Sequence, residues 1–160
     1  MMNVEGEAKG YYHQTEKYIA IKEDMSNVQT MKTGVHEVSH ALLHDREVMD
    51  AEGVLKDQTT KEVEAESIAY IVCNHFGLDT SEYSFTYIAS WCESRDMKAL
   101  KASMDTIRKT SAEIIGNIEE QMHELERENT MQYEEKEASA TRQEKLEQDL
   151  SLIHISEPTR

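Results

Sequence analysis

Two spacings of apolar residues divide the chain. Between residues 10 and 22 they fall in two short runs, Tyr11-Tyr12 and Tyr18-Ile19-Ala20-Ile21, separated by the polar Gln14-Thr15-Glu16. Short aromatic and β-branched runs joined by a polar turn predict a β-hairpin. Two strands are marginal alone and must pack on the helices C-terminal to them. From residue 26 the spacing changes to three and four. Val28, Met31, Val35 and Leu42 form one stripe, and Ser26 with Gln29 has the capping-box pattern, so a helix is predicted over residues 26–44. Gly34 inside it costs roughly 1 kcal/mol against alanine, which the stripe absorbs. Residues 45–58 are polar, contain Gly53 and read as a loop. A second helix is predicted over residues 59–76, with Val63, Ile68, Ile71, Val72 and Phe76 on its apolar face and Gly77 ending it.

Residues 81–94 suggest a short helix carrying Phe85, Tyr87, Ile88 and Trp91, with Trp91 as the anchor for a last, long helix. That helix is predicted from about Asp96 past Leu125. Met97, Leu100, Met104, Ile107, Ile114, Ile118 and Leu125 recur along it at alternating three- and four-residue steps. The stripe suits a coiled-coil seam, packing on the core, or a neighbour outside this chain, and Gly116 weakens it. Residues 1–9 are polar, a disordered or truncated start. Residues 126–149 are rich in Glu and Gln and nearly devoid of apolar side chains, which predicts a frayed or disordered tail. At residue 150 the composition changes abruptly. The run LSLIHISEPTR over residues 150–160 reads as the translation of a transposon-end sequencing adapter and is left out of the fold, as a scar would be. It marks the chain as a fragment.

The chain is therefore expected to be an α+β, predominantly helical protein with a small β-hairpin and a long C-terminal helix. At 160 residues, 38% hydrophobic and 31% charged, it holds one domain at most, placed at residues 10–125. The net charge of −15 argues against direct nucleic-acid binding, because phosphates call for compensating Lys and Arg. No apolar run approaches membrane-spanning length and no secretory signal precedes the first strand. Cys73 and Cys92 sit within apolar patterns and read as buried, reduced thiols, which fits a cytoplasmic protein.

The candidate chemistry lies in His36-Glu37-Val38-Ser39-His40, an H-E-x-x-H motif on the first predicted helix. Histidines at i and i+4 leave one face of a helix, close enough for both imidazoles to bind one zinc ion. A glutamate directly after the first histidine can reach a water activated by that metal and take its proton. The plainer reading is an amphipathic helix with two ordinary histidines, so a third ligand decides. A metzincin histidine six residues past His40 is excluded, because Arg46 stands there. Glu62 and Glu66 share one face of the second helix, at i and i+4. Glu62 ranks first as ligand, with Glu66 accepting the free N–H of a ligand histidine. Glu66 as ligand comes second and Glu64 last. Thr59 to Glu62 is also a capping-box pattern, which would explain Glu62 without metal. His44 is a further candidate ligand or a cap for the helix end.

The stretch TGVHEVSHALLHD followed by KEVEAESIAYIV resembles the ImmA/IrrE-type zincin metallopeptidases, and more narrowly the peptidase-like domain of ArdC-type antirestriction proteins of plasmids and conjugative elements. The likeness covers roughly residues 10–125 and implies a zincin-like, gluzincin core. Its E-x-x-A-[D/E] pattern implies that Glu62 is the third ligand and Glu66 the supporting acid, with His36 and His40 as ligands and Glu37 as general base. The function so implied is a zinc-dependent metallopeptidase that hydrolyses peptide bonds with a zinc-activated water, in a mobile-element regulatory or antirestriction role. The peptide or protein substrate is expected to lie antiparallel along the strand at Tyr18 to Ile21. The alternative is a non-catalytic zinc-containing protein-binding module. ArdC-type proteins also carry an N-terminal single-stranded-DNA-binding region, and nothing ahead of Gly10 corresponds to it. The oligomeric state stays open.

Overall fold

The computed structural model describes residues 8–80, 91–92, 95 and 97–155. It forms two compact units, Met1–Gly116 and Asn117–Arg160. The first begins with strands β1, Gly10–His13, and β2, Tyr18–Ile21, paired antiparallel with Tyr11 opposite Ala20 and His13 opposite Tyr18. Lys17 closes the turn from the left-handed region (φ 55°), its N–H donating to the His13 carbonyl at 2.8 Å. The helices are α1, Asn27–Leu43; α2, Arg46–Glu52; α3, Gln58–His75; and α4, Met97–Ile155. The protein is mostly helical, with a two-stranded antiparallel sheet and a long C-terminal helix. No helix among the described residues is long and apolar enough to cross a membrane.

The core of the first unit lies between α1 and α3, with the hairpin laid on α1. Ala65, Ile68, Ala69, Val72 and Cys73 of α3 are fully buried. Alanines at two of these positions let the helix axes approach closely. Ser26 caps α1, accepting from the Gln29 N–H at 3.3 Å, as its sequence pattern predicts. The buried face of α1 is Thr33, Val35, Glu37 and Ser39, and Ser39 satisfies its hydroxyl on the Val35 carbonyl at 2.8 Å. Of the predicted apolar stripe, Val35 is buried, Val28 and Met31 are half-buried, and Leu42 is 40% exposed.

Three local expectations change. Residues 46–52, read as loop, form α2: Asp45 caps it, accepting from the Glu47 N–H at 2.9 Å, and Gly53 ends it in the left-handed region (φ 64°). With no buried residue, α2 carries no apolar rhythm to read. Second, α3 is capped by Asp57, which accepts from the Thr60 N–H at 2.8 Å, so the Thr59–Glu62 pattern is not its cap and Glu62 is freed for other work. Third, Cys92 is exposed, while Cys73 is buried; both are free thiols.

Within the first unit, α4 turns Ser103, Thr110, Ser111 and Ile114 inward, while Met104, expected on the apolar seam, is 68% exposed. Trp91 is buried, its indole N–H donating to Thr60 Oγ1 at 3.3 Å; of the short helix predicted over residues 81–94, residues 81–90, 93 and 94 lie outside the described residues. In the second unit α4 continues to Ile155, and every residue from 119 to 153 is exposed. The segment expected to be frayed or disordered is helical there. Hydrogen bonds run along the helix there, as from Gln121 to Glu124 at 3.1 Å.

Candidate metal centre

Helix α1 places His36 and His40 one turn apart, and the first turns of α3 bring Glu62 to face them. Three atoms converge. His36 Nε2 and His40 Nε2 lie 3.1 Å apart, and Glu62 Oε2 stands 3.4 Å from the first and 3.6 Å from the second. Ligands of a tetrahedral zinc at ordinary Zn–N and Zn–O lengths sit roughly 3.3–3.4 Å from one another, so the triangle fits that ion. Gln58, one turn earlier, donates to Glu62 Oε1 at 2.6 Å and leaves Oε2 turned toward the histidines.

Glu66 takes a different place. Its Oε2 lies 3.4 Å from His36 Nδ1, on the far side of that imidazole, and its other oxygen pairs with Lys32. An acceptor there holds a proton on Nδ1, so Nε2 is the nitrogen that a metal would take. Glu62 and Glu66 thus stand on different sides of the His36 imidazole, one at Nε2 and the other at Nδ1.

The charges answer one another. Burial alone would lower the His36 pKa, but the Glu62 and Glu66 carboxylates outweigh it and raise it to about 9. The two imidazoles hold the Glu62 carboxyl well below the usual carboxylate range. Glu37, buried beside them, has its pKa raised by that burial, against the pull of His36, His40 and the Tyr12 backbone N–H. A carboxyl moved toward neutrality suits proton exchange.

Strand β1 forms the wall of the site. Gly10 is required for its approach: a Cβ there would fall 2.6 Å from Thr33 Cγ2 and 3.0 Å from the Ala20 carbonyl. Two clefts open on either side of Glu37. One, about 350 Å³, is lined by Lys9, Gly10, Gln29, Lys32, Thr33, His36 and Glu66 among others; the second, about 440 Å³, by Tyr11, Tyr12, Gln14, His40, Gln58, Lys61 and Glu62. Strand β2 lines neither, so the wall is Gly10 to Tyr12 and not the expected Tyr18 to Ile21. Tyr12 is tied away from the metal cluster: its hydroxyl donates to Asp45 Oδ2 at 2.7 Å, beside Lys17 Nζ, also at 2.7 Å. Lys17 and Tyr12 together lower the Asp45 carboxyl to about 2.

Glu64, ranked last in sequence, proves to be the most buried acid. It is 0% exposed and accepts from Ser103 Oγ at 2.7 Å and Lys56 Nζ at 2.7 Å, with His44 Nε2 at 2.9 Å. Those partners keep its carboxyl below the usual range despite its burial. His44 ends α1 and is itself 2% exposed, its Nδ1 3.0 Å from His40 Nδ1. It faces the back of a ligand and not the cluster. A glutamate inside the apolar run of α3 was the one available signal.

No protein-family profile matches the chain, and no solved structure matches it. It is similar to a Bacillus anthracis protein named "Uncharacterized protein pXO2-81", 36% identical over 104 residues. That alignment covers 64% of this chain and 17% of the relative, so the chain spans under a fifth of that protein's length.

Proposed function

We propose that the first unit is a zincin-like, zinc-dependent metallopeptidase of the HExxH-plus-Glu type, with His36, His40 and Glu62 as ligands and Glu37 as general base. The observation that carries this reading is the convergence of three ligand atoms from two helices at separations of 3.1, 3.4 and 3.6 Å. Zinc held there supplies polarisation of a scissile carbonyl and acidification of a water. Glu37 takes the proton of the attacking water and passes it to the leaving amine, and the Tyr12 backbone N–H orients its carboxylate. No covalent intermediate on the chain is required. An extended peptide pairing along β1, beside both clefts, would carry its backbone past Glu37 by strand addition.

Among the described residues three side chains converge, a number that favours hydrolysis over a purely structural zinc, which takes four. This supports the catalytic reading above the non-catalytic binding module. Resemblance to ImmA/IrrE-type and ArdC-type proteins adds the rest of the proposal: a cytoplasmic regulatory or antirestriction role for a mobile element.

The test is cleavage of a proteome-derived peptide library by the zinc-loaded chain, read by mass spectrometry. Glu37→Gln should keep zinc content and melting temperature while cleavage falls by about 10²–10⁴-fold, the worth of general acid–base catalysis. Equal cleavage by wild type and Glu37→Gln overturns the proposal. Zinc retained with no cleavage by wild type leaves the binding module.

A further inference from the structure

We infer that His44 and Glu64 form a positioning relay behind His40, fixing its tautomer so that the bare nitrogen is the one facing His36 and Glu62; this rests on the metal-centre reading above. Counting donors and acceptors along these contacts places each proton. Glu64 is a buried carboxylate receiving an ammonium from Lys56 and a hydroxyl from Ser103, so toward His44 it can only accept. The proton between them, across 2.9 Å, therefore sits on His44 Nε2. Lys56 already supplies the cation that pairs with Glu64, so His44 is neutral, and a neutral imidazole with its proton on Nε2 has a bare Nδ1. That Nδ1 lies 3.0 Å from His40 Nδ1, and two bare nitrogens at this distance would repel. His40 must carry its proton on Nδ1. Its Nε2 is then an unprotonated lone pair, 3.1 Å from His36 Nε2 and 3.6 Å from Glu62 Oε2.

The relay matches what Glu66 does for His36, but by a longer route. His36 reaches a carboxylate directly, whereas His40 reaches Glu64 through a second imidazole. Both ligand histidines so present the same nitrogen inward. The relay also extends the site beyond its two helices: Ser103 belongs to α4 and Lys56 to the segment before α3. Burial supports the arrangement, since neither His44 nor Glu64 can exchange its partner for water. A partner that orients a metal ligand is typically worth about 10–100-fold in metal affinity.

The test compares His44→Leu with His44→Gln in the full chain. Both fill the space, but only Gln offers an oxygen that accepts from His40 Nδ1–H. Zinc affinity is read by competition with a chromophoric chelator, melting temperature is followed in parallel, and the tautomer is read from ¹⁵N-histidine spectra of the metal-free protein. Wild-type His40 should be protonated on Nδ1. His44→Leu should lose that signature and bind zinc about 10–100-fold more weakly, and His44→Gln should recover most of both. A lowered melting temperature in His44→Leu with unchanged zinc affinity and tautomer would make His44 mere packing and end the inference. His40 protonated on Nε2 in wild type also ends it, and that measurement stands even if His44→Leu fails to fold. If wild type binds no zinc, the metal-centre reading falls, while the His40 tautomer and its response to the two variants still decide the relay.

Discussion

Helix α3 and the distal part of α4 both carry many glutamates, and they use them in opposite ways. In α3, Glu62, Glu64 and Glu66 each meet a partner from another element: the histidine pair of α1, the His44–Lys56–Ser103 group, and His36 with Lys32. In the distal part of α4, every described glutamate is exposed, and an ion pair such as His123 with Glu126 at 3.6 Å lies within the helix. The residue type is the same. What differs is whether a second element stands opposite, removing water and supplying charge. A carboxylate in water interacts weakly with its surroundings, whereas one against buried imidazoles has its protonation set by them. Functional chemistry here comes from apposition, not from composition.

The largest test of that contrast deletes one carboxylate from each region. Glu62→Ala should weaken zinc binding on the order of 10²–10³-fold, one ligand's share of a structural zinc energy of roughly 10–16 kcal/mol. Glu120→Ala, the same change on the distal helix, should leave affinity and melting temperature as they were. Zinc retained in Glu62→Ala but lost in Glu66→Ala would move the third ligand to Glu66.

Next in size is the effect of pH. His36 is raised to about 9 from its ordinary 6.5 in the metal-free chain, and zinc must displace that proton. Zinc affinity should therefore climb about tenfold per unit from pH 7 to 9 and then level off. In the metal-free chain the sign is opposite: the same proton stabilises the fold fully below 6.5, and this contribution is lost as pH rises through about 9. A flat affinity profile between pH 7 and 9 would show that His36 does not bind the metal.

Gly10→Ala sharpens the comparison from the side of packing. Its methyl group would meet Thr33 and the Ala20 carbonyl, so the hairpin must lift from α1 at a cost of about 1–3 kcal/mol. Thermal melting measures this, and an unchanged transition would mean that β1 does not cross α1 so closely. The smallest effect should come from truncation after Leu125. The described residues beyond it are exposed through residue 153, so zinc content and the melting transition of the first unit should stay within error. A drop of several degrees would show that the distal helix contributes to the fold.

Some of this protein can be read from local pattern alone. The hairpin, the first cap at Ser26, the two central helices and the long last helix follow from spacing and turn chemistry within a few residues of each position. His36, Glu37 and His40 are a single helical turn, and Glu62 with Glu66 another, so the candidate ligands were legible too. Short-range rules failed where burial was absent or polar. Helix α2 has no buried residue and left no rhythm, and α1 hides Thr33, Glu37 and Ser39 beside Val35 while Leu42 of the stripe stays exposed.

The sequence by itself determined the helical character of the chain, the pair of histidines on one face and the acids able to meet them. Only the tertiary structure decided which neighbour each acid meets. Glu62, Glu64 and Glu66 are equivalent in composition and separated by two residues each. Their roles diverge because α3 turns them toward three different neighbours. The Glu64 contacts reach 20 residues back to His44 and 39 forward to Ser103, and no local periodicity encodes a partner that distant. Helical spacing is set by the backbone turn, but the face that meets another element is set by how whole helices pack.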